Sequence, residues 1–458
     1  MDTQNLRKKR MTLAFNGDLQ LIPRLAAYRD VESIFGKLTQ DILGGGRASM
    51  YLANIDFGRI KETITEAHRH GIKFIYLLNS ICQSNRELTR DYNTRLTRFM
   101  EKIVNAGTDE VVVAAPYMLR LTKENFPHVK VIISTFCLIN AVSKARKWED
   151  LGADRIMLGS DINRNFRVIR KIRQAVKCEI EIFANNVCQR YCPYSVPHVC
   201  SMAHSSSSED KSKGFVMDYH SCLCARTRLT NPAEFISMGF IRPEDIQTYI
   251  DLGIDVFKVA GRTRSSDWLL RTVKAYSEEK FDGNLADLIV YPYIMSKDEG
   301  LLANAEQWIL RPRHVNLRVL SIFRQMEKRN GIVYIDNRKL DGFLDYFKNH
   351  DCEGSICDVD CKYCSTVAKK AITFDQEKLA RHIEDLETLI RMFEDRSAFR
   401  KNPLGVQIGA SIWRLLAPRK TNFRQHGPKE EMSDRLLKVL FNDTMDRRES
   451  QNKESLNP

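Results

Sequence analysis

The 458 residues are 43% hydrophobic and 28% charged, with a formal net charge of +13 and twelve cysteines. This composition excludes a wholly disordered or collagen-like chain, and the length bounds the protein at one to three domains. The basic excess favours an anionic partner, either RNA or a small molecule bearing phosphate or carboxylate, without selecting one. Met1 to Arg10 is polar and basic, and no apolar run approaches the roughly 18 residues of a membrane span, so a cytoplasmic protein is expected. In a reducing cytosol, closely spaced cysteines are metal ligands or catalytic thiols more often than disulfides.

In chain order, β-branched runs at 11–15, 32–36, 72–78, 110–115, 130–134, 155–159, 179–184 and 255–260 read as strands. Helix-period segments at 20–28, 60–70, 87–105, 138–151, 167–176, 243–252 and 266–279 alternate with them. Gly71, Gly107, Gly152 and Gly253 each sit where a left-handed helix C-cap would fall, just before the next strand. Repeated strand, helix, glycine, strand units predict parallel crossovers, and eight strands predict a closed (β/α)8 barrel over residues 1–283, with an open doubly wound sheet as the alternative. Beyond it a mainly helical extension is expected over 284–400, with helices at 301–309, 316–329, 340–349 and 376–391 and a short strand at 332–335. A basic amphipathic segment and a polar tail would occupy 401–458.

A barrel places its chemistry in the loops after the strands. Arg47, Asn79 and Arg262 fall there and are candidate substrate anchors, since guanidinium forks suit phosphate or carboxylate. The seventh connection, 185–243, departs from the rhythm and gathers Cys188, Cys192, Cys200, Cys222 and Cys224 together with the run Ser205 to Ser208. Four of these thiols could close around a 4Fe-4S cluster or a zinc ion, and unligated thiols are the plain alternative. His198, His204 and His220 lie in the same stretch and are candidate ligands or proton carriers.

Several segments resemble the collagenase-like peptidase family U32. They are Glu181-Ile-Phe-Ala-Asn-Asn-Val-Cys188, Cys192-Pro-Tyr-Ser195, the thiols of Cys200, Cys222 and Cys224, and Asp255-Val-Phe-Lys-Val-Ala-Gly-Arg262. The resemblance covers most of residues 11–283. It implies a 4Fe-4S cluster on the long loop and a part in oxygen-independent hydroxylation of a ubiquinone precursor or of RNA. In the family's pattern the first two thiols stand further apart, and His-Gly occupies the place of Asn185-Asn186. The expected ligands are Cys188, Cys192, Cys200 and Cys222, with Cys224 in reserve.

A second group, Cys352-x4-Cys357-x3-Cys361-x2-Cys364, is dense enough to be a site of its own, holding iron-sulfur or zinc, or to be reduced thiols packing a helix junction. Its last three cysteines resemble the radical-SAM spacing, but they follow the barrel instead of an early strand. Peptide hydrolysis is a weaker reading, because neither His-Glu-x-x-His nor Gly-x-Ser-x-Gly occurs. A non-catalytic cluster carrier that docks a protein partner through its C-terminal extension is another. The segment 406–416, with Arg419 and Lys420 behind it, suits packing on the barrel, a partner or a membrane surface.

Overall fold

The computed structural model describes residues 9–49, 52–185, 188–212, 218–291, 316–327, 329–350 and 352–402. The chain divides into two compact units, 1–305 with 326–390, and 306–325 with 391–458. In the first, eight parallel strands close into a barrel in chain order: β1 (Met11–Ala14), β2 (Val31–Gly36), β3 (Lys73–Leu78), β4 (Glu110–Val113), β5 (Lys130–Ile133), β6 (Arg155–Met157), β7 (Glu179–Phe183) and β8 (Val256–Val259). Leu13 is in register with Ile34 on one side and with Val259 on the other, which closes the ring. Strands walled in on both faces read as continuous apolar runs, as Val111 to Val113 and Val131 to Ile133 do.

The outer helices are α1 (Leu21–Leu25), α2 (Phe57–Arg69), α3 (Arg90–Asn105), α4 (Pro116–Asn125), α5 (Val142–Asp150), α6 (Phe166–Ala175), α7 (Ser195–Ser206), α8 (Tyr219–Thr230), α9 (Ala233–Ser237), α10 (Ile246–Asp251) and α11 (Ser266–Glu278). Helix α6 illustrates their construction. Phe166, Ile169 and Ile172 face the barrel, Arg167, Arg170 and Lys171 face solvent, and the Asn165 side chain accepts the Val168 N–H as N-cap. Gly71, Gly107, Gly152 and Gly253 all have positive φ, as their sequence position predicted.

The strands match their expected positions, but two helical regions differ from the sequence reading. No helix is expected from the sequence between the strands at 110–115 and 130–134, yet α4 stands there, with Pro116 in its first turn, where its missing N–H costs nothing. The long seventh connection is largely helical, carrying α7, α8 and α9. Helix α8 buries Ser221, Cys222, Leu223, Ala225, Arg228 and Leu229 around most of its girth, so it shows no apolar stripe.

Further on, the helix expected over 340–349 is shorter, Asp345–Asn349, because Gly342 at φ +74° interrupts it. The helices Leu317–Glu327 and Gln376–Glu394 stand where expected. Strand β9 (Val333–Ile335) pairs antiparallel with β10 (Ile372–Phe374), which the sequence reading lacked. The helix expected at 301–309, the segment 406–416 and the polar tail lie outside the described residues. No described helix is long and apolar enough to cross a membrane.

The floor of the barrel, at the strand N-termini, is an ion network. Arg155, 2% exposed, stands 3.1 Å from Glu110 and 2.9 Å from Glu179, while Arg10 reaches Glu179 at 2.8 Å and Lys73 reaches Glu32 at 2.8 Å. These strand-start charges pair with one another, and the chemistry of such a barrel sits at the opposite end, where the loops leave the strands.

Candidate functional site at the barrel mouth

At the C-terminal ends of β2 and β3, three buried side chains lock together. Lys37 Nζ lies 2.9 Å from Asp41 Oδ2 and donates to the Gly44 carbonyl at 2.6 Å. The Tyr76 hydroxyl donates to the same Asp41 oxygen at 2.9 Å, and Asp41 Oδ1 accepts the N–H groups of Leu43 and Gly44. Burial, and after it the Asp41 carboxylate, holds the Tyr76 phenol well above its usual range. Burial pulls Lys37 down, opposed by Asp41. The sequence reading passed over all three residues. Their available signal was position, since Lys37 follows β2 directly and Tyr76 ends up near the top of β3.

The same β2 loop receives the end of α7. Gly45 N–H donates to Ser206 Oγ at 2.9 Å, Ser49 Oγ donates to the Ser205 carbonyl at 3.3 Å, and Ser208 N–H donates to the Asp41 carbonyl at 2.7 Å. The serine run is therefore a docking edge. Gly44, at φ +78°, explains the glycine triplet, because a Cβ there would stand 2.0 Å from the Ala203 carbonyl oxygen.

Beside this lock, Phe15, Asn16, Lys37, Thr39, Leu52, Ala53, Ile55 and Arg262 line a small cavity. Arg262 is 9% exposed, and its guanidinium makes no hydrogen bond or ion pair with the described residues. Burial, and next to it the Arg47 cation, draws its pKa down to about 9. The Oδ1 of buried Asn79 also has no hydrogen-bond partner. The three expected substrate anchors thus lie around the mouth. An anion is the ligand that would relieve Arg262 and Arg47 together. Deeper, Lys258 on β8 faces Glu181 on β7 at 3.5 Å, both buried, and this pair too escaped the sequence reading.

Cys188, Cys192 and Cys224 converge at the end of β7. Cys188 is exposed as a residue, yet its thiol lies deep enough that burial raises its pKa, opposed by Arg228 and Arg47. Cys192 is raised by burial, and the N–H groups of Tyr194 and Ser195 at the start of α7 hydrogen-bond its sulfur and oppose the shift. Cys224 is pushed up to about 11 by burial, with Arg228 hydrogen-bonded to it. Arg228, fully buried, also donates from Nε to Met238 Sδ at 3.0 Å.

The other two thiols stand apart. Cys200 neighbours Cys82, and Cys222 is buried beside Asp218. The structure therefore joins the reserve cysteine, Cys224, to the first pair. Three thiols with backbone N–H donors and a buried arginine fit three positions of a cluster. Among the described residues, no three His, Cys, Asp or Glu side chains stand ready-made around one metal position, so loading requires the side chains to turn inward.

The histidines are engaged locally. His204 Nδ1 is 2.7 Å from Asp210, and His198 Nε2 lies 3.3 Å from Asp218 and 3.4 Å from Ser221 Oγ. A serine, a histidine and an aspartate thus meet, but the histidine presents one nitrogen to both partners and Ser221 donates directly to Asp218. A relay needs the two ring nitrogens to face different groups. Ser221 N–H also donates to Asp218, which identifies the cluster as the N-cap of α8. His220 stacks against His198 at 6.0 Å and is lowered by burial and by that neighbour.

Residues 43–287, just over half of the chain, match the sequence pattern of peptidase family U32. An uncharacterized protease of Methanocaldococcus jannaschii is 29% identical over 332 residues, 72% of this chain and 86% of that protein. The tRNA hydroxylation protein P1 of Bacillus subtilis is 21% identical over 286 residues, 59% of this chain and 63% of that protein. The tRNA hydroxylation protein P of Escherichia coli is 29% identical over 154 residues, 32% of each chain. The alignment to each tRNA hydroxylation protein just described spans less than two thirds of it. With the closed eight-stranded barrel and the cysteine-bearing insertion after β7, the match over 43–287 identifies the chain as a member of peptidase family U32.

Proposed function

We propose that this protein takes part in the oxygen-independent hydroxylation of an RNA base, with a 4Fe-4S cluster held at the barrel mouth by Cys188, Cys192 and Cys224. The observation that carries this reading is the convergence of those three thiols with Arg228, next to a buried cationic cavity. The likeness to tRNA hydroxylation proteins supports the choice of RNA. A bound cluster would supply one-electron redox chemistry.

The chain's own residues divide the remaining work. Arg228 opposes the burial that raises these thiols and so lowers the cost of their anionic, ligating form, by its charge and its hydrogen bond to Cys224. Arg262 and Arg47 anchor a phosphate or carboxylate, and Asn79 offers its free Oδ1 to a donor on the substrate. Lys37, Asp41 and Tyr76 fix the β2 loop that forms the cavity wall. The basic surplus of the chain draws RNA towards the mouth.

The test is anaerobic incubation of cluster-loaded protein, with water as the oxygen source and a two-electron acceptor to take up the electrons that hydroxylation releases, with transfer and ribosomal RNA from cells lacking this gene, followed by mass spectrometry of nucleosides. A nucleoside that gains one oxygen, and that disappears with Cys192→Ser, is the expected result. Full iron loading without any such product would support a cluster carrier instead. Peptide cleavage that survives Cys188→Ser would restore hydrolysis.

A further inference from the structure

The second cysteine group has its own architecture, inside the same compact unit as the barrel. The backbones of Cys357 and Cys361 pair across a tight turn in which the N–H groups of Val359, Asp360 and Cys361 all point to the Ile356 carbonyl. Asp358 at the turn has φ +64°. Cys364 opens the helix Tyr363–Ala371, and Cys352 begins a single helical turn, Cys352–Gly354. The Tyr346 hydroxyl lies 3.2 Å from Cys361 Sγ, and its ring stacks on Tyr363 at 3.8 Å. The turn at 357–361 runs directly into the helix that carries Cys364, which puts these thiols on adjacent backbone, and, as at the first group, the side chains must turn inward to close on a metal.

Two arginines face this group without enough acceptors. Arg164, 3% exposed, is boxed by Phe240, Phe343 and Phe347 and donates once, to the Tyr249 hydroxyl at 2.9 Å. Its Nε and Nη2 have no hydrogen-bond partner, although the guanidinium lies beside Cys364. Arg190, from the first cysteine stretch, reaches over to Cys352 and Cys357. Buried cations with idle donors are costly unless an anion completes them. Four neutral thiols do not provide that anion, whereas a metal centre ligated by four thiolates does.

We propose that Cys352, Cys357, Cys361 and Cys364 hold a second iron-sulfur cluster, with Arg164 and Arg190 as its counter-cations and the Tyr346 hydroxyl as a donor to the Cys361 sulfur. The four ligands fall in one short run, as iron-sulfur ligands do, whereas zinc ribbons use two separated pairs. The site is independent of the one after β7, although Arg190 stands between Cys188 and Cys192 and so ties the two groups together.

The experiment uses the full chain, expressed and purified without oxygen. In the variant Cys188→Ser/Cys192→Ser/Cys224→Ser, about four irons with matching sulfide should remain per chain. In Cys357→Ser/Cys361→Ser, iron should fall by about four relative to the parent, whichever state the first group is in. Arg164→Gln and Tyr346→Phe should keep their iron but shift the reduction potential of the cluster that survives in the triple variant. Zinc in place of iron in the triple variant overturns the proposal, as does unchanged iron in Cys357→Ser/Cys361→Ser. If the triple variant fails to fold, as judged by circular dichroism, the iron lost from Cys357→Ser/Cys361→Ser decides alone. Loss of iron confined to the triple variant would uphold the proposed function and refute the second centre.

Discussion

Arg228 lies one helical turn beyond Cys224 on α8 and hydrogen-bonds its thiol from a fully buried position. The cation lowers the cost of the thiolate, so Arg228→Met should disfavour it. We expect alkylation of Cys224 in metal-free protein at about pH 8 to slow several-fold, and anaerobic iron content to fall by about half or more. An unchanged alkylation rate would show that Arg228 is only a packing residue.

Cys222 and Cys224 are two positions apart and face different surroundings. If Cys224 is the ligand, Cys224→Ser removes iron from the first group while Cys222→Ser retains it. Cys222→Ser should instead lower stability by about 1–2 kcal/mol, because it puts a hydroxyl in place of a fully buried thiol. Iron analysis and urea melts of the two variants separate the roles, and the reverse pattern would return the ligand to Cys222.

Arg262→Met should separate stability from function. The folded-state pKa of Arg262, about 9, lies below that of an exposed arginine. Between those values the unfolded chain binds more protons than the folded one, so this group's contribution to stability increases with rising pH. Near pH 7 its charge is a full liability, and the variant should melt a few degrees higher than the parent. That advantage should shrink as pH is raised towards about 10, while substrate turnover falls by about a hundred-fold or more.

Asp218 gives the opposite sign. Burial raises its pKa, but His198 and Ser221 outweigh burial and leave it lowered. A carboxylate lowered in the folded state contributes stability above its unfolded pKa, and that contribution disappears as pH falls through the folded value. Asp218→Asn should cost about 1–2 kcal/mol near neutrality and nothing once the parent carboxylate is protonated. Denaturant melts from about pH 7 down to about pH 3 read the converging curves.

Gly44→Ala forces a Cβ against the Ala203 carbonyl and strains a left-handed residue. A loss of about 3 kcal/mol is expected, with lower iron retention because α7 is displaced. The equivalent change at Gly71, which has positive φ but open space around it, should cost only about 1 kcal/mol. Equal losses at the two positions would show that the α7 contact is unimportant.

The strands were legible because each buried strand of a parallel barrel is a short apolar run, and the glycine before the next strand marks the helix end. Helix α8 was not, because a helix buried around most of its girth loses the 3.6-residue stripe, and α7 was not, because Pro197 with the serines imitates a loop. At the mouth, Arg47, Asn79 and Arg262 could be named from their place after a strand. Lys37, Tyr76, Arg228 and Arg164 could not, since their meaning depends on partners far away in sequence, such as Arg164 with Phe343. The position of Cys224, and not Cys222, near Cys188 follows the same logic. Spacing counts thiols, whereas helix phase decides which of two neighbours faces Cys188.

The hydrogen bonds between the β2 loop and Ser205 to Ser208 have a mechanical meaning. In the ring, β7 and β2 are separated by β8 and β1, the seam at which the two ends of the barrel sequence meet. The insertion from β7 passes over that seam and fastens beyond it, as a hoop holds the last stave of a cask. Anything that orders the insertion tightens the joint, and hydrogen exchange at the β1 amides will report it.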